Sequence, residues 1–81
     1  MNRISVKSSN LKSVGYDEAE KILEVEFLSD KSVFQYSRVP RTTYEELINA
    51  SSKGRYFRSY IRDNQLFGCR QVFPIQRLLR V

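Results

Sequence analysis

The sequence predicts an α+β domain: a small antiparallel sheet of three strands, open to a fourth from the tail, then two helices packed on one of its faces. Two observations carry this. Apolar residues alternate with polar ones through the first half, and the period becomes helical after Val39 and Pro40. Elements so segregated along the chain imply helices gathered on one side of a sheet rather than alternating crossovers.

In the first half, Ile4 and Val6 alternate with polar neighbours. Residues 11–16 form a less regular strand, where Gly15 would allow a bend or bulge. Residues 17–21 are polar and charged and read as a turn. Residues 22–28 are the strongest strand, with Leu23, Val25 and Phe27 on one face and Glu24 and Glu26 on the other. Residues 29–32 make a hairpin turn around Asp30, and residues 33–37 return with Phe34 and Tyr36 sharing a face.

Pro40 is tolerated in a first helical turn, and Thr42/Glu45 and Thr43/Glu46 have capping-box spacing. Tyr44, Leu47, Ile48 and Ser51 keep helical spacing, so the first helix should end near residues 50–52. Ser51 or Ser52 can cap a second helix running to about Asp63. Beyond it, residues 71–73 could form a short strand before Pro74. Pro74, Ile75, Leu78, Leu79 and Val81 make an apolar tail suited to closing the core or meeting a second subunit.

Eighty-one residues suffice for one small domain, with residues 65–81 as a C-terminal extension. One cysteine, Cys69, excludes an internal disulfide and fits a reducing cytoplasm. No apolar leader or bilayer-length run is present, so a cytoplasmic location is expected. The absence of histidine removes the commonest general base and zinc ligand. Cys69 is read as a small buried or incidental thiol, Glu18, Glu20, Glu24 and Glu26 as surface charge, and Gly15, Gly54 and Gly68 as too scattered for a phosphate loop. The chain is therefore expected to be non-catalytic, with no cofactor and no metal.

Charge points to an anionic partner. Residues 1–30 hold four Lys and Arg against six Asp and Glu, whereas residues 31–81 hold ten against three. The density peaks in residues 51–62, SSKGRYFRSYIR. On a helix at about 100° per residue, Arg55, Arg58 and Arg62 share a stripe, and Tyr56, Phe57, Tyr60 and Ile61 fall on the opposite arc. Guanidinium groups in such a ladder suit phosphate or carboxylate. Lys53 and Gly54 sit at the start of that helix, where backbone N–H groups favour an anion. Arg38 and Arg41 stand before the first helix. For Phe34 and Tyr36, base stacking competes with packing under the helices, and the bulk a small sheet needs favours packing. Tyr56 borders the basic stripe and is a further stacking candidate. Glu24 and Glu26, facing outward, would repel phosphate and turn a nucleic acid toward the helices.

From about Val6 to Arg62 the chain resembles the KTSC domain, found at the C-terminus of some lysyl-tRNA synthetases and as stand-alone small bacterial proteins. The resemblance rests on Ser8 and Ser9, on Val14, Gly15, Tyr16 and Asp17, on Val39 and Pro40 with Tyr44, on Ser52, Lys53 and Gly54, and on Tyr56, Phe57, Ile61 and Arg62. The family's central tyrosine-any-tyrosine motif reads Phe34-Gln35-Tyr36 here, one hydroxyl fewer. The resemblance implies RNA binding and assigns no activity. The leading expectation is thus an RNA-binding module using Lys53, Arg55, Arg58 and Arg62, aided by Arg38 and Arg41. The alternatives are contact with an acidic protein through the same face, and a structural subunit assembling through its tail or its sheet edges.

Overall fold

The computed structural model describes residues 2–73. Its elements run β1 (Ile4–Ser5), β2 (Leu11–Asp17), β3 (Ile22–Phe27), β4 (Val33–Ser37), α1 (Arg41–Asn49), α2 (Lys53–Phe57) and β5 (Gly68–Phe73). A π-helical turn, Arg58–Arg62, continues α2 without a break. The strands form one antiparallel sheet in the order β1-β2-β3-β4-β5. The architecture is the expected α+β, with five strands rather than three or four. The additions are the two-residue β1 and a β5 that begins three residues before the expected Gln71. The apolar tail after Phe73 lies outside the described residues.

Pairing fixes the two faces. Val14 lies opposite Val25 and Tyr16 opposite Leu23, while Val25 faces Phe34 and Leu23 faces Tyr36. These side chains meet the helices, where Val14, Leu23, Val25, Val39, Leu47 and Ile61 are fully buried. Burying each such aliphatic side chain is worth about 1.5–3 kcal/mol, so this cluster is the main support of the small fold. Phe57 is its wedge, meeting Phe27 and Tyr36 edge to face at 5.5 Å each. Leu11 joins the core although it stands three residues before Val14, because the register shifts between Leu11 and Ser13. The irregularity therefore sits at Lys12, not at Gly15: two residues of β2 oppose one of β3, which turns Leu11 inward.

Gly15 serves close approach instead. It lies opposite Glu24 on the sheet face away from the helices, and a Cβ there would meet the Asn2 carbonyl oxygen at 2.5 Å and the Arg3 Cγ at 3.0 Å. Arg3 thereby crosses the sheet to bond Glu24 and Ser13, with Glu26 at 3.6 Å. Gln35 and Ser13 donate to Glu24 and Glu26 at 2.8 Å each. The two glutamates do occupy the face opposite the core, but Glu24 is buried and both contact Arg3. The expected repulsive acidic face is thus reduced, because Arg3 balances one of its two negative charges.

The helices begin as short-range chemistry allows. Pro40 is the N-cap of α1, and its carbonyl oxygen accepts from Thr43 and Tyr44 N–H groups. Neither capping box forms, because Thr42 and Thr43 lie inside the helix, past its Pro40 N-cap; Glu45 bonds Arg41 and Glu46 bonds Tyr56. Ser52 caps α2, accepting from the Arg55 N–H at 3.4 Å. Asp30 organises the β3–β4 hairpin by accepting from the Ser32 N–H and hydroxyl, bonds that hold its carboxyl below the usual range.

Candidate functional site

The wide π turn decides which basic side chains meet. Its hydrogen bonds span five residues instead of four, so residues four apart fall nearly in line. Phe57 and Ile61 align toward the core and both are buried. Arg58 and Arg62 align beside them on one rim of a groove of about 360 Å³. Ser9, Asn10 and Ser29 form its polar opposite side, and Phe27, Leu28 and Phe57 supply its apolar wall. Tyr60, expected on the core-facing arc, is 59% exposed, since the widened turn leaves it outside.

Local hydrogen bonds hold the groove open. The Ser8 hydroxyl accepts from the Asn10 and Leu11 N–H groups at 3.1 and 3.2 Å, bending the chain before β2. The Leu28 N–H donates to the Asn10 carbonyl at 2.9 Å and so ties the hairpin to that bend. Gly54 closes the base: it is buried, and a Cβ on it would meet the Asn10 side chain at 2.4 Å. Gly54 therefore allows α2 to approach the bend. It lies under Asn10 instead of offering an exposed backbone anion site.

The remaining basic candidates lie elsewhere. Arg55 is exposed but opens onto a separate hollow of about 340 Å³ with Ser52, Tyr56, Ser59 and Tyr60. Lys53 turns back on α1, donating to the Ala50 carbonyl at 3.2 Å. Arg38 and Arg41 lie at the far end of β4 from the groove. Arg38, at φ 64°, donates to the Leu66 carbonyl and tethers the connection into β5. Arg41 bonds Glu18 at 2.6 Å and Glu45 at 2.9 Å, and these carboxylates raise its pKa. Both arginines are committed to internal partners. Among the described residues Arg55 and Arg58 have no side-chain hydrogen bond or ion pair, and Arg62 has only Asp63, at 3.5 Å.

The stacking candidates resolve by burial. Tyr36 is 3% exposed against Phe57, and burial pushes its phenol upward. Phe34 is half-buried and meets Phe27 edge to face at 5.8 Å. Tyr36 therefore offers no face to a base, and Phe34 keeps only part of its surface exposed. Tyr56 is half-buried, its ring 4.7 Å from that of Tyr60, and its hydroxyl donates to Glu46 at 2.6 Å. Burial, then that bond, pushes its pKa up to about 12. Cys69 is exposed rather than buried. Among the described residues no group of three or more acidic, histidine or cysteine side chains could hold a metal, and no helix is long and apolar enough to cross a membrane.

Sequence reasoning missed Ser9, Asn10, Leu28 and Ser29 as groove residues. The only signal was the Ser8 and Ser9 pair, which carried the family resemblance. The KTSC domain model matches residues 7–65, a span that includes every lining residue of the groove. An uncharacterised protein of Stutzerimonas stutzeri is 42% identical over 67 residues, 83% of this chain and 84% of that one. A lysine–tRNA ligase of Trichormus variabilis is 43% identical over 56 residues, 69% of this chain but 10% of the ligase. The crystal structure of a KTSC domain protein from Yersinia pestis superposes with a TM-score of 0.81 at 35% identity, covering 88% of this chain and 96% of that one. With fold, match and identity agreeing over most of its length, the chain belongs to the KTSC domain family.

Proposed function

We propose that the protein is a non-catalytic RNA-binding module that holds the sugar-phosphate backbone with Arg58 and Arg62. The observation that carries this reading is Arg58, a guanidinium with no partner among the described residues, aligned with Arg62 on the rim of a groove whose other side is polar and uncharged. Such a rim favours phosphate by charge and leaves hydrogen-bonding groups facing it. Kinship with a segment of lysine–tRNA ligases, enzymes whose name includes an RNA substrate, supports the same reading. Arg55 extends the positive surface along α2 without sharing the groove.

Titration with short single-stranded RNA tests this. Log K should fall with log salt by about 0.7 per phosphate contact, and Arg58→Ala should flatten the slope by close to one contact. No binding at low salt overturns the reading. A second reading, contact with an acidic protein, draws on the exposed Tyr60 beside Arg55, which has no partner among the described residues; both are residue types enriched at interface hot spots. A stoichiometric protein partner that survives nuclease treatment and is lost with Arg55→Ala would favour it.

A further inference from the structure

We propose that the groove admits one unstacked nucleobase, so that the protein selects single-stranded over duplex RNA. This deepens the phosphate-binding reading above and depends on it. Three features of the groove point beyond phosphate contact. Its wall is apolar where a backbone-only site needs none: Leu28 is 44% exposed at the hairpin, and the half-buried Phe27 lies beside it. Its volume, about 360 Å³, lies at the small end of the range for ligand pockets. Its polar side offers Ser9, Asn10 and Ser29 from two segments joined by the Leu28–Asn10 backbone bond. An amide and two hydroxyls suit the edge of a base, which carries both donors and acceptors.

The arrangement separates two tasks across the groove. Arg58 and Arg62 stand on the helical rim, where a phosphate can stay in water. Leu28 and Phe27 stand on the sheet side, where the base leaves water. A nucleotide of a single strand can span both, because its base rotates away from its neighbours. A base held in a duplex cannot enter without losing its pair. Selectivity for single strands thus follows from the groove's shape and apolar wall, and the phosphate contacts add affinity without regard to sequence.

The test compares three probes with the full chain: an eight-nucleotide single-stranded RNA carrying one 2-aminopurine, the same strand with every base removed, and a duplex of equal length. The base-bearing strand should bind at least about five-fold tighter than the abasic strand, the lower end of what one base contact contributes. Its 2-aminopurine fluorescence should rise as the base leaves its stack. Leu28→Ala, at an exposed position, should abolish most of the preference and leave the salt slope unchanged. Arg58→Ala should flatten the slope for all three probes. Equal affinity for base-bearing and abasic strands, or binding with no fluorescence change, overturns the inference and leaves phosphate binding standing. Failure of every probe to bind at low salt overturns both.

Discussion

Gly54 lies so close to Asn10 that a methyl group on it would come within 2.4 Å of the Asn10 amide nitrogen. One contact therefore joins the start of α2 to the bend before β2 and sets the depth of the groove between them. Replacing a helical glycine by alanine ordinarily gains about 1 kcal/mol. Here the added carbon must displace the Asn10 side chain, and overpacking costs about 1–3 kcal/mol. Gly54→Ala should lower stability by about 1 kcal/mol in urea unfolding. In an Asn10→Ala background the same change should be neutral or stabilising, a coupling that a double-mutant cycle reads directly. Additive effects would mean that the two residues do not press on each other.

Two arginines of equal formal charge should behave differently. Arg41 is balanced by Glu18 and Glu45, whereas Arg58 has no such neighbour among the described residues. Arg41→Ala should leave the salt slope of RNA binding unchanged and move the urea midpoint little, since exposed ion pairs contribute little. Equal loss of slope in Arg41→Ala and Arg58→Ala would show that total charge, and not the groove rim, governs binding.

On the other face, Arg3 is the counter-ion of a buried carboxylate. Arg3→Ala leaves Glu24 with Gln35 as its only hydrogen-bond donor among the described residues. Stability should fall by about 1–3 kcal/mol, the cost of an under-satisfied buried polar group. Adding Glu24→Gln should recover part of that loss, because the charge disappears while the acceptor for Gln35 stays. Circular dichroism during urea unfolding of the three variants measures both steps.

Tyr56 gives the fold an alkaline limit. Burial and the Glu46 bond raise its pKa to about 12, against an ordinary value near 10. A raised tyrosine pKa means that the folded state keeps the proton longer than the unfolded state. Its contribution is complete below about pH 10 and is lost as pH rises through about 12. Ultraviolet titration should find Tyr36 and Tyr56 both ionising late, and Glu46→Gln should move only the Tyr56 step downward. If Glu46→Gln leaves the titration unchanged, the bond is not a cause of the shift.

What could be read in advance was local. Leu23, Val25 and Phe27 alternate because β3 is regular, and Ser52 caps α2 through a contact three residues long. The Asp30 turn is equally short-range. The misreadings came where distant segments meet. Thr42 and Thr43 had capping spacing, but the helix already starts after its Pro40 N-cap, and Glu46 bonds Tyr56 of the next helix. Arg41 reaches Glu18 across 23 positions, and Arg3 reaches Glu24 across 21. No periodicity announces such pairs. The bulge at Lys12 spoiled the alternation of β2 without revealing its place. The basic stripe was legible as charge, but not that a π turn, Arg58–Arg62, follows α2, nor that Arg55 opens onto a different hollow from Arg58 and Arg62.

The sheet order holds a consequence for assembly. Strands β1 to β4 follow one another directly, so each can pair as soon as its neighbour exists. Strand β5 returns to β4 only after both helices and the π turn have intervened. Its closure spends loop entropy that docked helices would already have reduced. During synthesis from the N-terminus, the β4 edge therefore stays available to other chains until the last strand arrives. That interval, more than the finished fold, is when this protein is most open to mispairing.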